Sequence, residues 1–172
     1  MGVILEKGMR YFITFACYGA HLHGEEKGSV DRRNNLPRSR LLDADPKRAT
    51  VESEAMTQAP YLLDEPARPI VLEAIREVCA HRGWNLLAAH VRTNHVHVIV
   101  ESEARPEKVM NDFKSYASRT LNRAEPGEAH RKRWAHHGST RWLWTDQDVR
   151  EAIRYVIEEQ GEPMAFFVAE MF

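Results

Sequence analysis

The sequence predicts an α+β domain of the ferredoxin-like split β-α-β kind, an antiparallel sheet of about four strands with helices on one face. Three observations predict it. A β-branched and aromatic run stands at Tyr11–Cys17, two apolar stripes recur at helical spacing, and short strand-like runs stand between and after them. The resulting order is strand, helix, strand, strand, helix, strand. With 172 residues, 43% hydrophobic and 28% charged, the chain suits one globular domain over 1–172 with a core of its own.

Taken in order, residues 11–17 (YFITFAC) form a strand because branched and aromatic side chains fit a pleated, half-buried surface. Residues 19–66 show no sustained periodicity and carry Gly24, Gly28, Pro37, Pro46 and Pro60. They read as a long excursion with room for a short helix over 46–58. Arg68–Arg82 is a helix: Ile70, Val71, Ala74, Ile75, Val78 and Cys79 recur at three and four, and Gly83 stops it. Trp84–Val91 and His95–Glu101 are two strands of a hairpin joined at Thr93-Asn94. Glu107–Arg123 is a second helix, striped by Val109, Met110, Phe113, Tyr116, Ala117, Thr120 and Leu121 and ended by Pro126-Gly127. Trp142-Leu143-Trp144 reads as the fourth strand. Asp146 suits the cap of a last helix over 149–160, ended by Gly161 and Pro163. The apolar tail Ala165–Val168 is expected to pack back onto the domain.

Charge is uneven. The net formal charge is −1, without the overall basic excess that often marks nucleic-acid binding. Between Arg105 and Arg141, however, nine basic residues stand against four acidic ones, whereas from Trp142 onward two face seven. The basic segment suits a phosphate backbone, and equally a solvated helix face. No apolar run approaches the roughly 20 residues that cross a bilayer, and no signal-peptide pattern opens the chain. Cys17 and Cys79 match no zinc or redox spacing, so a reducing cytoplasm and no membrane are expected.

The chemistry-bearing residues cluster around the third strand. Side chains alternate faces along a strand, so His95 and His97 project from the same side. Two imidazoles so placed can hold one divalent metal; they can also be the half-exposed histidines of an ordinary sheet. Ile99 and Val100 stand where a His-x-His-x-Asp-His site needs ligands, so that zinc pattern is absent. Tyr116 lies within its helix's apolar stripe, where a tyrosine commonly packs with its hydroxyl at the rim. Trp142 and Trp144 could stack on unpaired bases or pack between the last strand and a helix. His21-Leu22-His23, between glycines, reads as a surface pair.

Asn94-His95-Val96-His97 on a strand, followed by Phe113-Lys114-Ser115-Tyr116 on a helix, resembles the HUH nucleases. With one tyrosine, the pattern is similar to the single-tyrosine transposases of small insertion sequences and their REP-associated relatives. The resemblance implies a DNA transposase and endonuclease that cleaves and rejoins single-stranded DNA through a 5′-phosphotyrosine at Tyr116, with Lys114 meeting the phosphate. It implies Mg2+ or Mn2+ held by His95 and His97. Where relatives carry a Gln or Asn one turn after the nucleophile, this chain has Thr120, so Asp112, or phosphate and water, is expected to complete the metal site. Arg119, Arg123, Arg131, Lys132, Arg133, Arg141 and Trp142 are the candidate DNA contacts, and the partner is a single strand or hairpin. Among the relatives, a homodimer with the tyrosine helix acting in trans occurs. The alternative is a non-catalytic protein binding single-strand or hairpin DNA on the same fold.

Overall fold

The chain was analysed as a computed structural model in which residues 8–20 and 56–170 are described. The elements are β1 (Met9–Cys17), α1 (Ala67–Arg82), β2 (Asn85–Val91), β3 (His95–Ser102), α2 (Pro106–Ala124), a short 3-10 turn (Pro126–Glu128), β4 (Trp134–Trp142), α3 (Asp146–Glu158) and β5 (Ala165–Val168). The strands form one sheet in the order β4-β1-β3-β2-β5, and each neighbouring pair is antiparallel. This is the expected α+β architecture with five strands instead of about four.

β3 sits at the centre and is buried on both faces, and its period of two divides the molecule. Val96, Val98 and Val100 point into a core shared with Tyr11, Ile13 and Phe15 of β1 and with α1 and α2. Ile99 points to the opposite side, into a core with Phe12, Ala88 and the α3 residues Val149, Ala152 and Val156. Among the described residues, the first core holds 23 buried residues and the second eight. Burying one large aliphatic or aromatic side chain contributes about 1.5–3 kcal/mol, so the α1–α2 layer carries most of the stability. The α3 layer depends more on polar ties.

α1 ends as its sequence signals: Gly83 takes the left-handed conformation (φ 71°), and the Trp84 N–H donates to the Cys79 carbonyl at 2.9 Å. The hairpin β2–β3 closes with the Arg92 N–H donating to the His95 carbonyl at 2.9 Å.

Two expectations are corrected, and the apolar tail packs back onto the domain as expected. The fourth strand is Trp134–Trp142, not Trp142–Trp144. Its sequence, WAHHGSTRW, lacks an apolar run because it is the sheet's edge and is mostly exposed or half-buried; pairing with β1 defines it. α3 is capped by Thr145, not Asp146: the Thr145 hydroxyl accepts from the Asp148 N–H at 3.0 Å, and Asp148 accepts from the Thr145 N–H at 3.1 Å, a reciprocal capping box. The apolar tail is a strand, β5, added to the edge of β2. The helix expected over 46–58 falls largely outside the described residues, as do His21 and His23.

Gly138 marks where α2 approaches the sheet. A Cβ there would meet the Thr14 carbonyl oxygen at 2.6 Å and Met110 Sδ at 2.5 Å. The methionine can move; the β1 backbone cannot without disturbing the ladder. Gly138→Ala is therefore expected to destabilise the fold by about 1–3 kcal/mol, read as a lower urea midpoint with an unchanged slope.

Candidate active site

The β3 register places His95 and His97 on the α3 face. Their neighbours across the sheet make a row, Ser139, Thr14, His97, His90 and Phe166, one residue from each strand. The two imidazoles lie 4.7 Å apart between centroids. His97 is only 5% exposed, and burial first, then the neighbouring His95, pushes its pKa down to about 3. It is therefore a neutral imidazole at pH 7.

Hydrogen bonds on the far ring nitrogens orient the pair. His95 Nδ1 lies 2.7 Å from Asn94 Oδ1, an oxygen that only accepts, so the proton sits on Nδ1 and Nε2 keeps its lone pair. His97 Nδ1 lies 2.8 Å from Thr14 Oγ1, which serves either tautomer because a hydroxyl donates or accepts. Both Nε2 atoms turn to one side chain, the amide of Gln160, whose Oε1 lies 3.2 Å from His97 and 3.5 Å from His95. The Gln160 Nε2 is directed to the Tyr155 carbonyl at 3.5 Å, a long contact that turns Oε1 toward the histidines.

Two ring nitrogens and an amide oxygen converging on one point form a donor set that fits a divalent cation. Among the described residues no group of three or more His, Cys, Asp and Glu does so. The third donor here is an amide.

Over the same point stands Tyr155 of α3. Its ring centroid is 5.9 Å from His97 and 6.0 Å from Phe12, and the side chain is 42% exposed, so a strand can reach it from solvent. Sequence reading passed over Tyr155 as one more residue of the last helix. The available signal was the amide at Gln160, about one helical turn further on, the feature that Tyr116 lacks.

Tyr116 is corrected as a partner of the histidines. It lies on α2, packed half-buried against the core on the opposite side of the sheet, with Arg119 stacked over its ring at 4.5 Å. Thr120 donates its hydroxyl back to the Tyr116 carbonyl at 2.9 Å. Asp112 is likewise on α2, within 3.1 Å of Lys108 Nζ and 3.4 Å of Arg82 Nε, so it is not a ligand beside His95 and His97. Lys114 is buried; its Nζ donates to the carbonyls of Ala135 (3.0 Å) and His137 (3.3 Å), and burial lowers its pKa to about 8. It fastens α2 to β4 and does not reach the histidine site.

The basic candidates separate by burial. Arg133 is 3% exposed and donates to Tyr61 Oη (2.7 Å), Asn122 Oδ1 (3.1 Å) and Glu125 Oε2 (3.2 Å), a structural hub and not a DNA contact. Arg131 and Lys132 donate to the 57–59 segment, through Gln58 and Ala59 for Arg131 and Thr57 for Lys132. Arg119 and Arg123 are exposed along α2. Arg141 lies over Phe12 at 5.8 Å, and Trp142 stacks on Trp144 with centroids 5.3 Å apart, both exposed and not buried between strand and helix.

His90 holds α3 in place. Its Nδ1 donates to the Val156 carbonyl at 2.7 Å, and its Nε2 accepts from the Met164 N–H at 3.0 Å. The two bonds clasp the chain on either side of Gln160, directly after Tyr155. Burial, the leading cause, lowers the His90 pKa. Both His90 and His97 are thus native as neutral rings with folded pKa values below the unfolded value of about 6.5. Below that pH the unfolded chain binds the extra protons, so stability is full above it and declines as the pH falls. The expected slope is up to about 1.4 kcal/mol per pH unit per histidine. Urea melts of the metal-free protein from neutral to acid pH should show it, with a shallower decline in His97→Gln; equal slopes would show that His97 is not held neutral.

The profile of the family described as "Transposase IS200 like" matches residues 57–160, more than half of the chain, a span that includes Asn94, His95, His97, Tyr155 and Gln160. No curated protein is significantly similar in sequence. Among solved structures, the chain is similar to a REP-associated tyrosine transposase bound to a REP hairpin, at 13% identity and TM-score 0.49, covering 92% of this chain and 70% of that one. It is also similar to a candidate transposase from Deinococcus radiodurans, at 15% identity and TM-score 0.46, covering 93% and 96%. Among the described residues no helix is long and apolar enough to cross a membrane. By its family profile, the chain belongs to the IS200-like transposases.

Proposed function

We propose that this transposase nicks and rejoins single-stranded DNA through a covalent phosphotyrosine formed on Tyr155, beside a metal site made by His95, His97 and Gln160. The observation that supports it is the convergence of two imidazole Nε2 atoms and the Gln160 Oε1 next to the Tyr155 ring. When bound there, Mg2+ or Mn2+ supplies a Lewis acid that draws charge from the phosphate oxygens.

The chain's own groups do the rest. Tyr155 Oη attacks the phosphorus; the phosphorus–O3′ bond breaks and a phosphorus–O(Tyr) bond forms. The proton lost by the phenol is matched by one gained at the leaving 3′-oxygen. The products are a 5′-phosphotyrosine and a free 3′-hydroxyl. No water is consumed, so a 3′-hydroxyl can attack in reverse and restore a phosphodiester. Asn94 and Thr14 hold the rings so that Nε2 faces the substrate side, and Gln160 keeps the third donor within the same turn as the nucleophile. Arg119, Arg123 and Arg141 remain the candidate contacts to the DNA backbone. A homodimer is not required for this arrangement, because Tyr155 and the histidines meet within one chain.

Two measurements test the reading. Incubating the protein with a labelled single strand and Mn2+ should give a denaturation-resistant adduct that Tyr155→Phe abolishes and Tyr116→Phe retains. An adduct surviving in Tyr155→Phe would assign the nucleophile elsewhere, and strand binding with no adduct in the wild type would favour a non-catalytic DNA-binding protein. Asn94→Ala should weaken Mn2+ binding about 10- to 100-fold by calorimetry, with an unchanged circular dichroism spectrum. Gln160→Ala should weaken it at least as much.

A further inference from the structure

We propose that the cleft between Trp144 and Tyr155 is a nucleobase subsite, taking one unpaired base next to the phosphate that Tyr155 attacks; the inference rests on the assignment of Tyr155 above. The cleft has a volume of about 210 Å3 and joins β4, the turn after it and α3. Phe12, Leu143 and Ala152 give it an apolar lining, and the rings of Trp144 and Tyr155 line it as well.

The aromatic wall is preformed. Trp142 and Trp144 lie parallel, 10° apart in plane, and Trp142 is fixed by an edge contact to Tyr11 at 5.0 Å. Trp144 is nonetheless 63% exposed, so an indole braced on one face is presented to solvent. A rigid, exposed aromatic surface is suited to stacking a base, and poorly explained by packing.

The polar groups select what enters. Asp148 and Glu151 border the cleft, which disfavours a phosphate inside it. Asp148 Oδ2 already accepts from the N–H groups of Trp144 (3.2 Å) and Thr145 (3.1 Å). Glu151 Oε1 accepts from Gln147, while its Oε2 has no donor among the described residues. That oxygen suits an exocyclic amino group, which adenine, cytosine and guanine carry and thymine lacks. Arg141 also lines the cleft, and its Nε is buried with no partner among the described residues.

The test uses the full chain carrying Tyr155→Phe, which blocks the chemistry, without added metal and at fixed salt. Oligo(dC), oligo(dT) and an abasic oligomer of equal length are titrated while tryptophan emission is followed. Oligo(dC) should quench the emission and bind more tightly than oligo(dT), and both more tightly than the abasic strand. Adding Trp144→Ala should weaken oligo(dC) by roughly 5- to 150-fold, the loss of one base stack, and leave the abasic strand unchanged. Trp144→Phe, which keeps a ring, should restore most of the affinity, and Glu151→Ala, which removes the acceptor, should erase the preference for dC over dT. Equal binding of oligo(dC) and the abasic strand, or equal weakening of both by Trp144→Ala, would overturn the subsite. An adduct on Tyr155 with no Trp144-dependent binding overturns the subsite alone. Trp144-dependent binding with no adduct on Tyr155 in the wild type overturns the nucleophile alone.

Discussion

The alternation of side chains along β3 governs this molecule. A central strand covered on both faces must send every second residue to a different layer, so neighbours in sequence serve different purposes. Val96, Val98 and Val100 secure the large core with α1 and α2; His95, His97 and Ile99 face the thin layer under α3. A helix can complete the histidine site only from that thin layer. Slipping the register by one residue would bury the imidazoles among aliphatic side chains and turn the valines under α3, so the pattern that stabilises the sheet also fixes the site.

The division of labour between the two faces follows from energetics. Twenty-three buried residues on one side leave the other free to hold polar groups that contribute little or nothing to stability. His97 is an example: a nearly buried imidazole costs more to desolvate than a valine, and it is tolerated because Thr14 and Gln160 meet its nitrogens. The layer that accommodates it is anchored less by apolar area and more by directed bonds, above all those of His90 to Val156 and Met164. Arg133 shows the same logic in the other core, where a guanidinium is buried only because Tyr61, Asn122 and Glu125 surround it.

How much of this was legible in the sequence depends on whether the signal was local. The helices α1 and α2 and the hairpin β2–β3 are written in apolar spacing and turn residues, and the structure reproduces them within two residues at most ends. β4 was not, because an edge strand of polar residues has no periodicity of its own and exists through its partner β1. The paired histidines could be read from strand period alone. The tyrosine could not: Tyr116 stood out through the resemblance of Phe-Lys-Ser-Tyr and its spacing after His97 to the single-tyrosine transposases, and spacing in sequence does not say on which side of a sheet the next helix lies. α2 follows β3 directly yet packs on the valine face. α3 comes after a further strand and packs on the histidine face, bringing Tyr155 and Gln160 from some sixty residues away. Arg133 was misread for a related reason, since a basic residue in a basic run gives no sign of being enclosed.

The amide of Gln160 is directed at the backbone of Tyr155 itself, at the frayable end of a helix. The proposed donor and the proposed nucleophile are therefore carried on the same short length of chain. Unwinding that last turn removes both from the histidines in one event, and rewinding it returns both.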